Sequence, residues 1–174
     1  MKISVKILMA AASLFIVQTL VAQTPAISTK YTDTEIVQII NNYRAAHSRD
    51  VFPPDNLQQK FRADFPKARD VEWETANDIY EVEFEIRFRD FKALYDKSGH
   101  LLLVVEEIRP SELPAVVKNT AESKYPKFHF EDIEKIRRGT ETVYKIEMEK
   151  SFSDTEVKLL VDSAGKIMEE RFDY

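Results

Sequence analysis

One block of this sequence occurs twice, and a duplication constrains a fold more than any local propensity, because both copies must adopt one structure. Residues 53–66 align without gaps to residues 113–126. Pro54 falls on Pro114, Leu57 on Val117, Phe61 on Ala121, Phe65 on Tyr125 and Pro66 on Pro126. Further on, Tyr-Glu-Val-Glu-Phe at 80–84 matches Tyr-Lys-Ile-Glu-Met at 144–148. Ala-Leu-Tyr-Asp-Lys-Ser-Gly at 93–99 then matches Leu-Leu-Val-Asp-Ser-Ala-Gly at 159–165. The offset grows from 60 to 64 to 66, so the length differences fall between matched elements, where loops absorb them.

Each copy opens with a helical pattern. Leu57, Phe61 and Phe65 recur every four residues, with Asp55 as the expected cap and Pro66 as the stop. Val117, Ala121 and Tyr125 repeat the stripe, with Ser111 as the expected cap, Pro114 in the first turn and Pro126 at the end. The remainder of each copy alternates with period two. Tyr80, Val82, Phe84, Ile86 and Phe88 oppose Glu81, Glu83, Glu85, Arg87 and Arg89, a strand with one wet face. Tyr144, Ile146 and Met148 oppose Lys145, Glu147 and Glu149 in the same way. A shorter strand covers residues 71–74, with Val71 and Trp73 on the apolar side. Strands at 91–95 and 101–105 are joined by Asp-Lys-Ser-Gly at 96–99, and the second copy repeats the join as Asp-Ser-Ala-Gly at 162–165. Asp followed three residues later by Gly fits a hairpin turn closed by a left-handed residue. The fold class that follows is α+β, a tandem pair of helix-plus-four-stranded antiparallel units over residues 53–110 and 111–174. The five apolar residues at 101–105 imply burial on both faces, at the junction of the units or in a self-association surface.

Ahead of the pair, Thr32 and Glu35 have capping-box spacing, and Ile36, Ile39, Ile40 and Tyr43 follow helical periodicity, so a helix over 33–47 is expected to pack on the units. It lies within a leader-and-helix segment at 23–52. Residues 1–22 read as a secretory signal: Lys2 and Lys6 precede sixteen uncharged residues ending at Ala22. That run is shorter than the ~20 apolar residues a bilayer span needs. The reading is a periplasmic protein without stable membrane insertion. With no Cys among 174 residues there is no disulfide, thiolate ligand or lipid-anchored cysteine, so packing alone holds the fold. Three Gly make phosphate loops improbable, and a net charge of −5 argues against nucleic acid as a partner.

The ordered set of motifs resembles the PepSY-like, β-lactamase-inhibitor-like family of exported proteins common in Bacteroidetes. Its matching residues are Phe-Pro-Lys-Ala-Arg-Asp-Val-Glu-Trp-Glu at 65–74, residues 80–85 and residues 96–99. The second copy supplies Tyr125 and Pro126, residues 144–149 and residues 162–165, with Lys135 or a neighbour where the first has Trp73. The resemblance spans residues 53–174. It implies a tandem helix-plus-sheet fold and a binding or inhibitory role in the periplasm without catalysis. It does not imply inhibition of a β-lactamase, since function does not travel with fold.

Catalytic patterns are missing from the sequence. His47, His100 and His129 stand alone, so a metal site would need convergence from distant elements, and no cofactor, metal or catalytic residue is expected. The constellation that remains is electrostatic. If the helices cover one sheet face, the other presents Glu72, Glu74, Glu81, Glu83, Glu85, Glu147 and Glu149 against Arg87, Arg89 and Lys145. Such a field suits a basic peptide or a periplasmic protein with a basic surface. Trp73 joins the candidate partner-binding residues as a binding platform, against the reading of a core residue that sharing a face with Val71 suggests. The alternative reading is a small-ligand or envelope-stress sensing module with a pocket between helix and sheet. The partner and the oligomeric state are not readable from the sequence.

Overall fold

A proline ahead of each repeated helix and an aromatic–proline pair behind it give the two copies equal lengths and equal ends. In a computed structural model, which describes residues 25–153 and 155–173, the chain runs α1 (Asp33–Ala45), β1 (Arg49–Asp50), α2 (Asp55–Asp64), β2 (Arg69–Ala76), β3 (Ile79–Glu85), β4 (Asp90–Asp96), β5 (Leu101–Glu107), α3 (Ala115–Lys124), β6 (Phe128–Arg138), β7 (Glu141–Lys150), β8 (Glu156–Asp162) and β9 (Ile167–Asp173). The expected signal segment at 1–22 lies outside the described residues. Pro54 and Pro114 stand at the N-caps with φ/ψ of −57/150 and −54/138 degrees, and Phe65 and Tyr125 at the C-caps with −129/67 and −125/64 degrees. The expected caps Asp55 and Ser111 are displaced by these prolines. Asp55 is the first helical residue, and Ser111 sits in a 3-10 turn ahead of α3. Pro suits the junction because its fixed φ needs no rearrangement there and it has no N–H to satisfy.

The nine strands of the described residues form one antiparallel meander in sequence order, β5 pairing with β6 so that the two helix-plus-four-strand units share a continuous sheet. The two-residue β1, unexpected from sequence, adds an edge beside β2. Both Asp-x-x-Gly segments are hairpin turns, with Gly99 and Gly165 at φ +86 degrees. The strand expected to run to Arg89 stops at Glu85. Residues 86–89 form a tight turn with Arg87 and Phe88 at positive φ, which leaves Phe88 92% exposed instead of in the core.

Alternation along the strands divides the apolar side chains between the two faces. On one face α2 packs Leu57, Phe61 and Phe65 on Val82, Phe84, Ala93 and Tyr95, and α3 packs Val117, Ala121 and Tyr125 on Ile133, Ile146, Met148 and Leu159. Helix α1, two residues shorter than expected, crosses the opposite face, burying Ile36, Ile40 and Tyr43 on Ile79, Leu94, Leu102, Leu103, Ile136 and Val143. The apolar run at 101–105 is thereby consumed inside the chain. Leu101 and Val104 face α2, while Leu102, Leu103 and Val105 face α1, the switch made by a bulge that leaves Leu102 unpaired between Leu94 and Tyr95.

The start of α1 is tied to the far unit. Asp33 accepts hydrogen bonds from the Thr140 amide (2.8 Å) and hydroxyl (2.7 Å), which hold its carboxyl below its ordinary pKa. Gly139 beside it has φ +52 degrees, and a Cβ there would strike the Asp33 carboxylate. Gly139→Ala is therefore expected to cost more than about 1 kcal/mol, from backbone strain and loss of this anchor. The urea midpoint measures it; an unshifted midpoint would mean that α1 is not held there.

Candidate acidic groove

Helix α1 covers the sheet face opposite α2 and α3 only toward the hairpins at 77–78 and 139–140. Over the other end of the strands that face stays open, and a groove of about 240 Å³ forms there. Its lining is built by alternation. Glu72 sits opposite Glu83, and Glu83 opposite Lys92; Glu85 sits opposite Asp90, and Glu107 opposite Glu134. Two bulges extend the set. Asp70, at φ +49 degrees, falls in the register shift between Arg69 and Glu72, and Asp132 follows the shift after Phe130. Eight carboxylates and one amine thus line the groove; the amine is Lys92, whose Nζ lies 2.6 Å from Glu83, and Lys145 reaches Glu134 from outside the lining at 3.4 Å. Burial raises the Glu107 pKa, and crowding by Asp132, Asp90 and Glu134 pushes it the same way. Like charges held this close favour an incoming cation.

Of the sequence-derived residues, Glu72, Glu83 and Glu85 meet in the groove. Glu74 and Glu81 belong instead to the margin of α1. Glu74 accepts the Ser48 hydroxyl at 2.6 Å. Burial raises the pKa of Glu81, as do Glu83 and Glu74, against the pull of Lys92 and Arg44. Glu147 is engaged by Lys145 at 2.7 Å and Lys158 at 3.3 Å. Glu149 faces His129 at 3.4 Å. Arg87 leaves the sheet for the exposed β3–β4 turn, and Arg89 is spent on Glu106 (3.1 Å) and Glu112 (2.6 Å). Trp73 does not share the acidic face. It pairs with Val82 and points under α2, its ring 5.4 Å from Phe61 and 6.2 Å from Tyr95. Val71, expected beside it, is 40% exposed because the bulge at 69–72 breaks the alternation. The counterpart of Trp73 is Ile133, which pairs with Ile146, and not Lys135.

Asp132 and Glu134 were within reach of sequence reasoning, since they alternate with Ile133 along β6. Asp70, Asp90 and Glu107 were not, because a bulge and two strand ends decide where they sit. Among the described residues the groove lining contains no imidazole, hydroxyl or thiol. What it offers is charge.

A family model described as β-lactamase-inhibitor-like, PepSY-like matches residues 44–103 and again 95–169. Among solved structures, a DUF2874 family protein from Bacteroides ovatus is 18% identical with a TM-score of 0.63, over 70% of this chain and 89% of its own. A BLIP-like protein from Bacteroides fragilis is 19% identical with a TM-score of 0.60, over 70% and 87%. A candidate periplasmic protein from Bacteroides eggerthii is 14% identical with a TM-score of 0.65, over 70% and 90%. At these identities the likeness is one of fold. No curated protein matches. Among the described residues no helix is long and apolar enough to cross a membrane.

Proposed function

The chain belongs to the PepSY-like, β-lactamase-inhibitor-like family, and from that premise we propose that it is a non-catalytic, exported binding module that takes a basic peptide or a basic protein segment in the acidic groove. The observation that carries this reading is a lining of eight carboxylates and one lysine on an uncovered sheet face. Complementary charge steers encounter and sets register, while the strand backbones beneath keep the carboxylates in place without a ligand. Export is supported by the charged and apolar pattern of residues 1–22 and by the likeness to the candidate periplasmic protein. The interior beneath α2 and α3 is filled by side chains such as Leu57, Val117 and Ile146, all 0% exposed, which weighs against a small-ligand pocket there.

Oligolysine is a suitable probe. The parent chain should bind it saturably at low salt, with affinity falling as salt rises. The double variant Glu83→Lys, Glu85→Lys should bind at least about tenfold more weakly, because like charges then meet. Equal affinity of parent and variant, with both folded by circular dichroism, would remove the groove as the binding surface.

A further inference from the structure

Next to the groove, two strands bring together a histidine and two carboxylates that lie far apart in sequence. We propose that His129, Glu131 and Glu149 form a binding site for a divalent transition-metal ion, zinc being the ion that fits these donors. His129 and Glu149 are direct cross-strand partners of β6 and β7. Glu131 occupies the bulge between Phe130 and Asp132, so no residue of β7 stands opposite it and its side chain is free to reach toward the pair. One ligand atom from each of the three lies within 4.8 Å of the others.

The spacing matches metal geometry. Tetrahedral zinc with bonds of about 2.0–2.1 Å sets neighbouring ligand atoms roughly 3.4 Å apart. The Nε2 of His129 stands 3.4 Å from Oε2 of Glu149, longer than a tight charge-assisted hydrogen bond. Donor chemistry selects the ion. The imidazole separates this trio from the groove, which offers only oxygen. Calcium takes six to eight oxygen ligands, and magnesium keeps most of its waters; an imidazole with two carboxylates suits zinc. The two carboxylates also balance the two charges of the ion. His129 and Glu131 are exposed, so solvent or a donor from another molecule would complete the coordination. None of the three lines the groove, so the site stands or falls apart from the function proposed above.

The test is calorimetric titration of the metal-stripped parent chain with zinc chloride, repeated with cobalt(II) for its visible spectrum. The expected result is one saturable zinc site in the micromolar range and a tetrahedral cobalt spectrum. His129→Ala should abolish both signals. Glu131→Gln and Glu149→Gln should each weaken zinc by at least the about 10–100-fold that loss of a mere orienting partner costs. Calcium in excess should leave zinc bound, and the Glu83→Lys, Glu85→Lys variant should keep its site. The proposal is overturned if zinc does not saturate below millimolar concentration. Unchanged affinity in His129→Ala would overturn it as well, as would calcium displacing zinc at equal concentration, which would reveal diffuse accumulation on an acidic surface.

Discussion

Phe61→Ala is expected to lower the unfolding free energy by about 3–5 kcal/mol, the range for truncating a buried aromatic ring. Phe61 is 4% exposed, and its ring meets three others, with centroids 5.6 Å from Phe65, 5.4 Å from Trp73 and 5.0 Å from Phe84. Truncation removes the burial of one ring and strands its neighbours around a void, since rings held by strands and a helix cannot collapse far. The duplication supplies the control. At the equivalent place the second unit carries Ala121, 0% exposed, and the ring partners Phe65, Trp73 and Phe84 are replaced by Tyr125, Ile133 and Met148. That core is closed around a methyl group. Ala121→Phe should therefore also destabilise, by about 1–3 kcal/mol or more, through overpacking. Urea unfolding followed by Trp73 fluorescence and circular dichroism measures both variants. A loss below about 1 kcal/mol for Phe61→Ala would mean that the aromatic cluster relaxes freely, contrary to close packing.

The same comparison shows what periodicity can and cannot reveal. The helical stripes ending at Phe65 and Tyr125, the wet strand face at 81–85 and both Asp-x-x-Gly turns were legible because each is a local pattern whose physics is finished within a few residues. The five-residue apolar run at 101–105 was legible as doubly buried, although not which helix covers which face. That depends on the bulge at Leu102, which no hydrophobic pattern announces. Trp73 illustrates a different limit. The alternation that sets Glu72 and Glu74 on the wet face also sends Trp73 to the other side, where it packs with Phe61 and Tyr95 as core and not as a binding platform. The acidic groove was half legible. Glu72, Glu83 and Glu85 follow from period two, but their companions come from strands joined across the sheet, and α1 takes Glu74 and Glu81 out of the set. Convergence of His129 with Glu131 and Glu149 required the register of β6 on β7, a long-range fact.

Asp96 and Asp162 occupy equivalent turns yet are expected to differ severalfold in what they contribute. Both accept two turn amides on Oδ1: Ser98 and His100 at 2.9 Å for Asp96, Ala164 at 2.9 Å and Lys166 at 2.8 Å for Asp162. Among the described residues only Asp96, 6% exposed, has its second oxygen engaged as well, by the Tyr31 hydroxyl at 2.8 Å, Nδ1 of His100 at 2.8 Å and the Lys30 amine at 3.1 Å. Those contacts pin the segment ahead of α1, which also donates the Ser28 amide to the Leu101 carbonyl at 2.8 Å and receives Arg137 on the Pro25 carbonyl at 3.1 Å. Asp96→Ala should cost about 3 kcal/mol, because it leaves several part-buried donors without their shared acceptor and frees the tether of α1, whereas Asp162→Ala should cost about 1 kcal/mol. Acid supplies a second readout. Burial opposes the Asp96 carboxylate, but the His100 amide, the Tyr31 hydroxyl, the His100 ring and Lys30 outweigh it and hold the group well below the usual carboxylate range. A carboxylate depressed in the folded state stabilises fully above its unfolded pKa of about 3.9, and that stabilisation drains away as pH falls further. The gap between the parent and Asp96→Ala should therefore be constant near neutrality and narrow progressively below about pH 4. A gap that stays constant down to pH 2, or equal losses for Asp96→Ala and Asp162→Ala, would show that the tether contributes nothing beyond the turn itself.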